Sequence, residues 1–77
     1  MLFYFHLRDG GYYEEDIDGM NLPTLDDAVS EAQQSAREMV AEIILHGGKV
    51  KGRAFEIADA HGSVLKTIRF RDVIGID

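Results

Sequence analysis

The chain has no cysteine and no tryptophan, and it has a single proline, Pro23, among its 77 residues. Without cysteine there can be no disulfide and no thiolate metal site, and the thiol class of covalent catalysis is excluded. Packing alone, or packing with self-association, must hold a domain of this size together, where burial and ordering entropy nearly cancel. Basic residues are also scarce, eight against fourteen acids, for a net charge of −6. An acidic total disfavours non-specific attraction to nucleic acid. No apolar run approaches the roughly 20 residues of a membrane-spanning helix. The first residues lack a basic region followed by an apolar signal segment, so the expected setting is the cytoplasm. At 45% hydrophobic and 29% charged, the composition is that of a globular protein rather than a disordered one.

What is present centres on Thr24–Gly48. With Leu25 at zero and a step of 100° per residue, Leu25, Ala28, Val29, Ala32, Ala36, Met39, Val40 and Ile43 share an arc of about 120°, the width of a core-facing stripe. Asp26, Asp27, Glu31, Gln34, Glu38 and Glu42 lie outside it. Thr24 suits the N-cap, where its hydroxyl can accept a bond from a free backbone N–H. Asp27 gives a capping box with Asp in place of Glu. Gly47 suits the left-handed residue that ends a helix, and His46 in the last turn could interact with the negative end of the dipole if protonated. A helix over about 25–46 follows. It is longer than a six-residue strand, so its last turn, with Ile44 and Leu45, is expected to overhang any sheet it covers.

On either side the pattern changes to period two. In residues 2–8, Phe3, Phe5 and Leu7 alternate with Leu2, Tyr4, His6 and Arg8, which predicts a central strand with the Phe side inward. Asp9-Gly10-Gly11 is a hairpin turn signal leading to a short return strand over 12–15. Asp16-Ile17-Asp18-Gly19 is a second turn, and Met20–Leu22 leads into Pro23. After the helix, 53–59 alternates with Phe55 and Ile57 inward and Ala54, Glu56 and Ala58 outward. Asp59-Ala60-His61-Gly62 reads as another hairpin turn. In the returning strand over 64–70, Val64, Ile68 and Phe70 share one face and Leu65, Thr67 and Arg69 the other, with Lys66 interrupting the inner set. Either 53–59 or 64–70 can be the second neighbour of 2–8. The expected fold is α+β, ββαββ, one domain with a four-stranded, mainly antiparallel sheet and the helix on one face. Val73, Ile74 and Ile76 are too apolar for a free tail and are expected to cover the helix end or a partner.

Residues able to carry chemistry are sparse. His6, His46 and His61 lack a second ligand at metal spacing. Glu14, Glu15, Asp16 and Asp18 match only a fragment of a calcium loop and read as a solvated edge. Ser30, Ser35 and Ser63 lack the context of an activated nucleophile. Gly10-Gly11 and Gly47-Gly48 lack the strand–loop–helix order of a phosphate cradle. A chain this short rarely encloses a pocket of several hundred Å3. No catalytic residue, cofactor or metal is therefore expected. One helix covers one sheet face only. The other, with Leu2, Tyr4, His6, Leu65, Ala54 and Ala58 flanked by Arg8, Arg53 and Arg69, is the candidate interaction surface, and Leu45 joins the list as an exposed apolar residue. A protein partner or a second copy is the expected occupant. Nucleic acid could use the same aromatics as stacking platforms, but the acidic total and the lack of an aromatic–basic strand motif argue against it.

These residues resemble a known group. Tyr4-Phe5-His6-Leu7-Arg8-Asp9-Gly10, an FxHxRDG-like opening, precedes an acidic turn ending at Gly19 and Leu22-Pro23 before an Ala/Glu-rich helix. Phe55-Glu56-Ile57, Asp59, Gly62 and a late Phe70 follow. Nearly the whole chain is similar to a family of short uncharacterised proteins common in rhizobia and related alphaproteobacteria. In that pattern a proline often precedes the late Phe. Here Arg69 stands there, which leaves the end of the last strand open. The resemblance implies a bacterial cytoplasmic setting and no established activity. A looser likeness is to HicB-like antitoxins, which also place Asp-Gly after a strand, an acidic segment before Leu-Pro, and Asp and Ala at the helix start. That likeness implies a regulator that masks a toxin or binds nucleic acid. The chain lacks that family's Pro-Gly-Cys turn, and its length is expected to leave no room for a separate DNA-binding segment.

Overall fold

The computed structural model describes residues 1–74. Strand β1 (Leu2–Asp9) is followed by β2 (Tyr12–Glu14), a two-residue strand β3 (Met20–Asn21), helix α1 (Leu25–Leu45), β4 (Ala54–Ala58), β5 (Val64–Arg69) and a 3₁₀ turn (Phe70–Asp72). The fold is α+β, one helix against an antiparallel sheet, in roughly the expected order. The sheet runs β2-β1-β4-β5, and β3 pairs with β1 beside β2. The neighbour of β1 left open by the sequence is thus β4.

Register decides which residues form the core. Phe5 lies opposite Ile57, Leu7 opposite Phe55, and Phe55 opposite Ile68. The alternation read from the sequence therefore places one apolar set on the face that α1 covers. Ala28, Ala32, Ala36 and Val40 are buried in α1, and Leu25, Val29, Met39 and Ile43 pack partly buried around them, so the whole predicted stripe faces the sheet. Alanine at three of the buried positions removes bulk and lets the helix backbone approach Phe3, Ile57 and Phe70, which are the largest fully buried side chains.

The helix ends follow their local chemistry. The Thr24 hydroxyl accepts the Asp27 N–H at 3.2 Å and donates to the Asp27 carboxylate at 2.8 Å. At the other end Gly48 N–H donates to Ile43 C=O at 2.8 Å and Gly47 N–H to Ile44 C=O at 3.0 Å, with Gly47 at φ +75. This is the paired-bond Schellman closure, which satisfies carbonyls the helix leaves free. Burial along α1 stops at Val40 apart from partly covered Ile43, and Ile44 and Leu45 are exposed, Leu45 to 77%.

Four local expectations are corrected. The 64–70 strand ends at Arg69: Phe70 N–H turns to Arg53 C=O at 2.9 Å, opens the 3₁₀ turn, and keeps its ring in the core, 5.1 Å from that of Phe55. Val64 is exposed rather than inward, because a bulge at Ile57/Ala58 brings it opposite Ala58 and breaks the alternation. Ala54 and Ala58 are buried although they point away from the helix, because their short side chains sit between longer ones on β1 and β5. α1, β2 and β4 each stop one residue short of the sequence reading (Leu45, Glu14, Ala58), β4 also starts one residue later at Ala54, and the Met20–Leu22 lead contributes a short strand pairing with Leu2 and Phe3. Val73 is buried in the core and Ile74 packs against it, as expected of a covering tail. Ile76 lies outside the described residues.

Candidate functional site

The face of the sheet turned away from α1 is built by the even residues of β1 and their cross-strand neighbours. The two-residue turn at Gly10-Gly11, with Gly10 at φ +60, sets the β1–β2 register so that Tyr13 lies opposite Arg8. Arg8 then has two partners. Its guanidinium lies 4.5 Å from the centroid of the Tyr13 ring, and its Nε donates to Glu56 at 2.7 Å. The Glu56 carboxylate raises the Arg8 pKa further. His6 lies between Tyr4, stacked at 6.2 Å between centroids, and Tyr13 at 5.6 Å. The face therefore carries an aromatic row, Tyr4–His6–Tyr13, with an ion pair at one end.

A second structure borders that row. Between its pairings with β2 and β3, β1 has a free edge, and the loop from Glu15 to Gly19 folds onto it. Asp16 is the anchor. Its backbone N–H donates to His6 Nδ1 at 3.0 Å, and its carboxylate accepts N–H groups from Phe5 (3.1 Å), Asp18 (3.1 Å) and Gly19 (3.2 Å). Partial burial acts to raise the Asp16 pKa, but these three N–H donors outweigh it, and the carboxyl titrates below its ordinary range. Gly19 is required here. It sits at φ +72, and an added Cβ would come within 3.0 Å of the Phe3 carbonyl oxygen.

The proposed surface residues separate as follows. Leu2 and Leu65 are exposed at 40% and 39%, and Tyr4 is half-buried on the open face. Arg8 is exposed but paired with Glu56, and Arg69 is exposed but paired with Asp72 at 2.8 Å. His6 is not a surface residue: it is only 8% exposed, enclosed by its aromatic neighbours and the Asp16 loop. Arg53 does not flank this face. It bonds Asp9 at 2.9 Å and lines a groove beside Met39 and Ile43 of α1. Leu45 lies on the helix, which packs on the opposite side of the sheet, so the structure does not bring it to the open face. Sequence reading missed Tyr13, Glu56 and the Asp16 anchor. The two-residue turn held the signal for Tyr13, since its register places Tyr13 beside Arg8. Nothing local marked Asp16 as different from its acidic neighbours.

Among the described residues no group of three or more His, Cys, Asp or Glu is placed to hold a metal ion. The Asp16 carboxylate is engaged by main-chain N–H groups. His46 Nε2 lies 3.9 Å from a Glu42 carboxylate oxygen, with both side chains exposed. A hollow of about 590 Å3, open to solvent rather than enclosed, is lined by Asp9, Glu42, Ile43, His46, Lys49 and Arg53 among others, where the C-terminal end of α1 meets its following loop. No described helix is long and apolar enough to cross a membrane.

Fold and site together describe a small α+β module with one open sheet face. Residues 2–71 match the family model for a domain of unknown function, DUF6894, and the chain belongs to that family. No curated protein and no solved structure matches the chain.

Proposed function

We propose that the chain is a non-enzymatic module of the bacterial cytoplasm that acts by contact with another protein chain, a second copy or a larger partner, through its open sheet face. The observation that carries this reading is the exposed apolar and aromatic set on that face, Leu2, Tyr13 and Leu65, around half-buried Tyr4. Exposed apolar and aromatic side chains on a sheet face that no helix covers offer the kind of surface that protein interfaces use. Their charges are matched within the chain by the Arg8–Glu56 and Arg69–Asp72 pairs, which leaves little net positive field for a phosphate backbone. Nucleic-acid binding, one of the two activities of the HicB-like alternative, has less support for that reason, whereas the other, masking a toxin, is itself a protein contact.

The test uses a Leu2→Glu, Leu65→Glu double variant. Both side chains are partly exposed, and the melting temperature of the variant, measured alongside, separates a lost contact from a lost fold. Analytical ultracentrifugation measures self-association, and co-purification from the native host measures binding to a partner. Both should fall sharply in the variant. A parent chain that is monomeric at high concentration and recovers no partner would remove the proposal.

A further inference from the structure

A cleft of about 260 Å3 opens on the same side of the sheet. Glu15, Asp16 and Ile17 form one wall, Asp59, Ala60 and Gly62 of the β4–β5 turn form the other, and Tyr4 and His6 lie at its base. Each wall is fixed by its own hydrogen bonds. Asp16 pins the first loop, and Asp59 Oδ1 accepts N–H groups from His61 at 2.9 Å and Ser63 at 3.0 Å in the second. Such a site is preformed and loses little on ordering.

His6 indicates what the cleft takes. Its Nδ1 accepts the Asp16 N–H, so the proton of the neutral ring sits on Nε2, which becomes a donor. More than nine-tenths of the residue is buried, and Nε2 has no hydrogen-bond partner among the described residues. Among the described residues no fully buried side-chain nitrogen or oxygen lacks a partner, so Nε2 retains solvent contact, and the space that His6 lines is this cleft. The walls add negative charge from Glu15, Asp16 and Asp59, and no cationic side chain lines the cleft. Tyr4 supplies an aromatic ring at the base, and Ile17, 79% exposed, an apolar rim.

We propose that this cleft binds a lysine- or arginine-bearing segment of a partner protein. A backbone carbonyl of the segment accepts the His6 Nε2–H. The cationic group lies over the Tyr4 ring and pairs with Glu15, and its methylene stem rests against Ile17. This rests on the protein-contact reading above and adds to it the chemistry of the partner.

The experiment titrates the isotopically labelled full chain with a short arginine- and lysine-containing peptide, an acidic peptide, free arginine and spermine, and follows amide and imidazole resonances. The basic peptide should give saturable shifts confined to Glu15–Ile17, Asp59–Gly62 and the His6 ring, and the acidic peptide none. Glu15 is exposed and its side chain makes no hydrogen bond among the described residues, so Glu15→Gln folds normally and should weaken binding by a factor of about two to five, in line with the loss of one exposed charge pair. Shifts spread over Asp26, Glu31 and Glu38 of the helix, or equal affinity in Glu15→Gln, would overturn the assignment. Free arginine or spermine binding as tightly as the peptide would overturn the partner-segment part. If the Leu2→Glu, Leu65→Glu variant loses its partner while the parent chain shows no response to the basic peptide, the contact reading stands and the cleft assignment falls. If the cleft binds the peptide while the double variant keeps its partner, the open face fails and the cleft remains.

Discussion

Removing the Asp16 carboxylate should destabilise the fold out of proportion to its exposure. Three backbone N–H groups converge on it, and the Phe5 N–H among them belongs to the central strand. Hydrogen bonds to a charged group contribute about 1.5–3 kcal/mol each when well buried. Asp16 is only partly buried, and water can replace the acceptor at Asp18 and Gly19, so the sum is discounted to about 2 kcal/mol for Asp16→Ala, mostly from Phe5. Asp16→Asn keeps one oxygen for the loop but turns an NH2 group toward one donor, and should cost about 1 kcal/mol. For a domain of this size about 1 kcal/mol corresponds to roughly 4–8 °C in Tm, so Asp16→Ala should melt about 8–16 °C lower. Urea denaturation followed by circular dichroism measures the difference. The pH dependence has a definite sign. A carboxyl held below its ordinary range contributes stability that is fully present above the unfolded-state pKa, about 3.9, and is lost as pH falls through the lower folded-state value. The gap between the parent chain and Asp16→Ala should therefore be widest near neutral pH and narrow in strong acid. A variant within about 0.5 kcal/mol of the parent at neutral pH would show that water serves these N–H groups equally well, and the anchor argument would fail.

Gly19→Ala and Gly47→Ala form an informative pair in thermal melts. Both residues have positive φ, but nothing lies within 4 Å of a Cβ at Gly47, whereas one at Gly19 meets the Phe3 carbonyl. The Gly47 change should cost about 1 kcal/mol and the Gly19 change clearly more. Ala32→Leu places a large side chain where α1 meets the sheet and should cost about 1–3 kcal/mol or more by overpacking, read from the same melts. Thr24→Ala removes the acceptor for Asp27 N–H and should cost about 1 kcal/mol in urea denaturation.

The helix was legible from sequence because its signals are local. The spacing of its apolar residues, Thr24 at one end and Gly47 at the other act within one or two turns, and neither depends on what the helix meets. The same is true of the period-two face of β1 and of the turns at Gly10 and Gly62, where positive φ favours glycine. Those features determined an α+β chain with roughly a ββαββ order and placed the core side of β1 and of most of β4 and β5, though not of Val64. Tertiary structure alone decided the rest. The choice of β4 over β5 as neighbour to β1 depends on pairing between residues some fifty positions apart, for which either strand offered a suitable apolar face. The bulge that exposes Val64 and the turn that takes Phe70 out of β5 arise from fitting that pairing to the core. His6 shows the division most clearly. Its place in an alternating strand put it on the outer face, but its burial was decided by Tyr13, supplied by β2, and by Asp16, supplied by a loop that closes over the strand's free edge. Periodicity determines the side on which a residue lies, whereas burial depends on distant segments arriving there, and that is a property of the assembled fold.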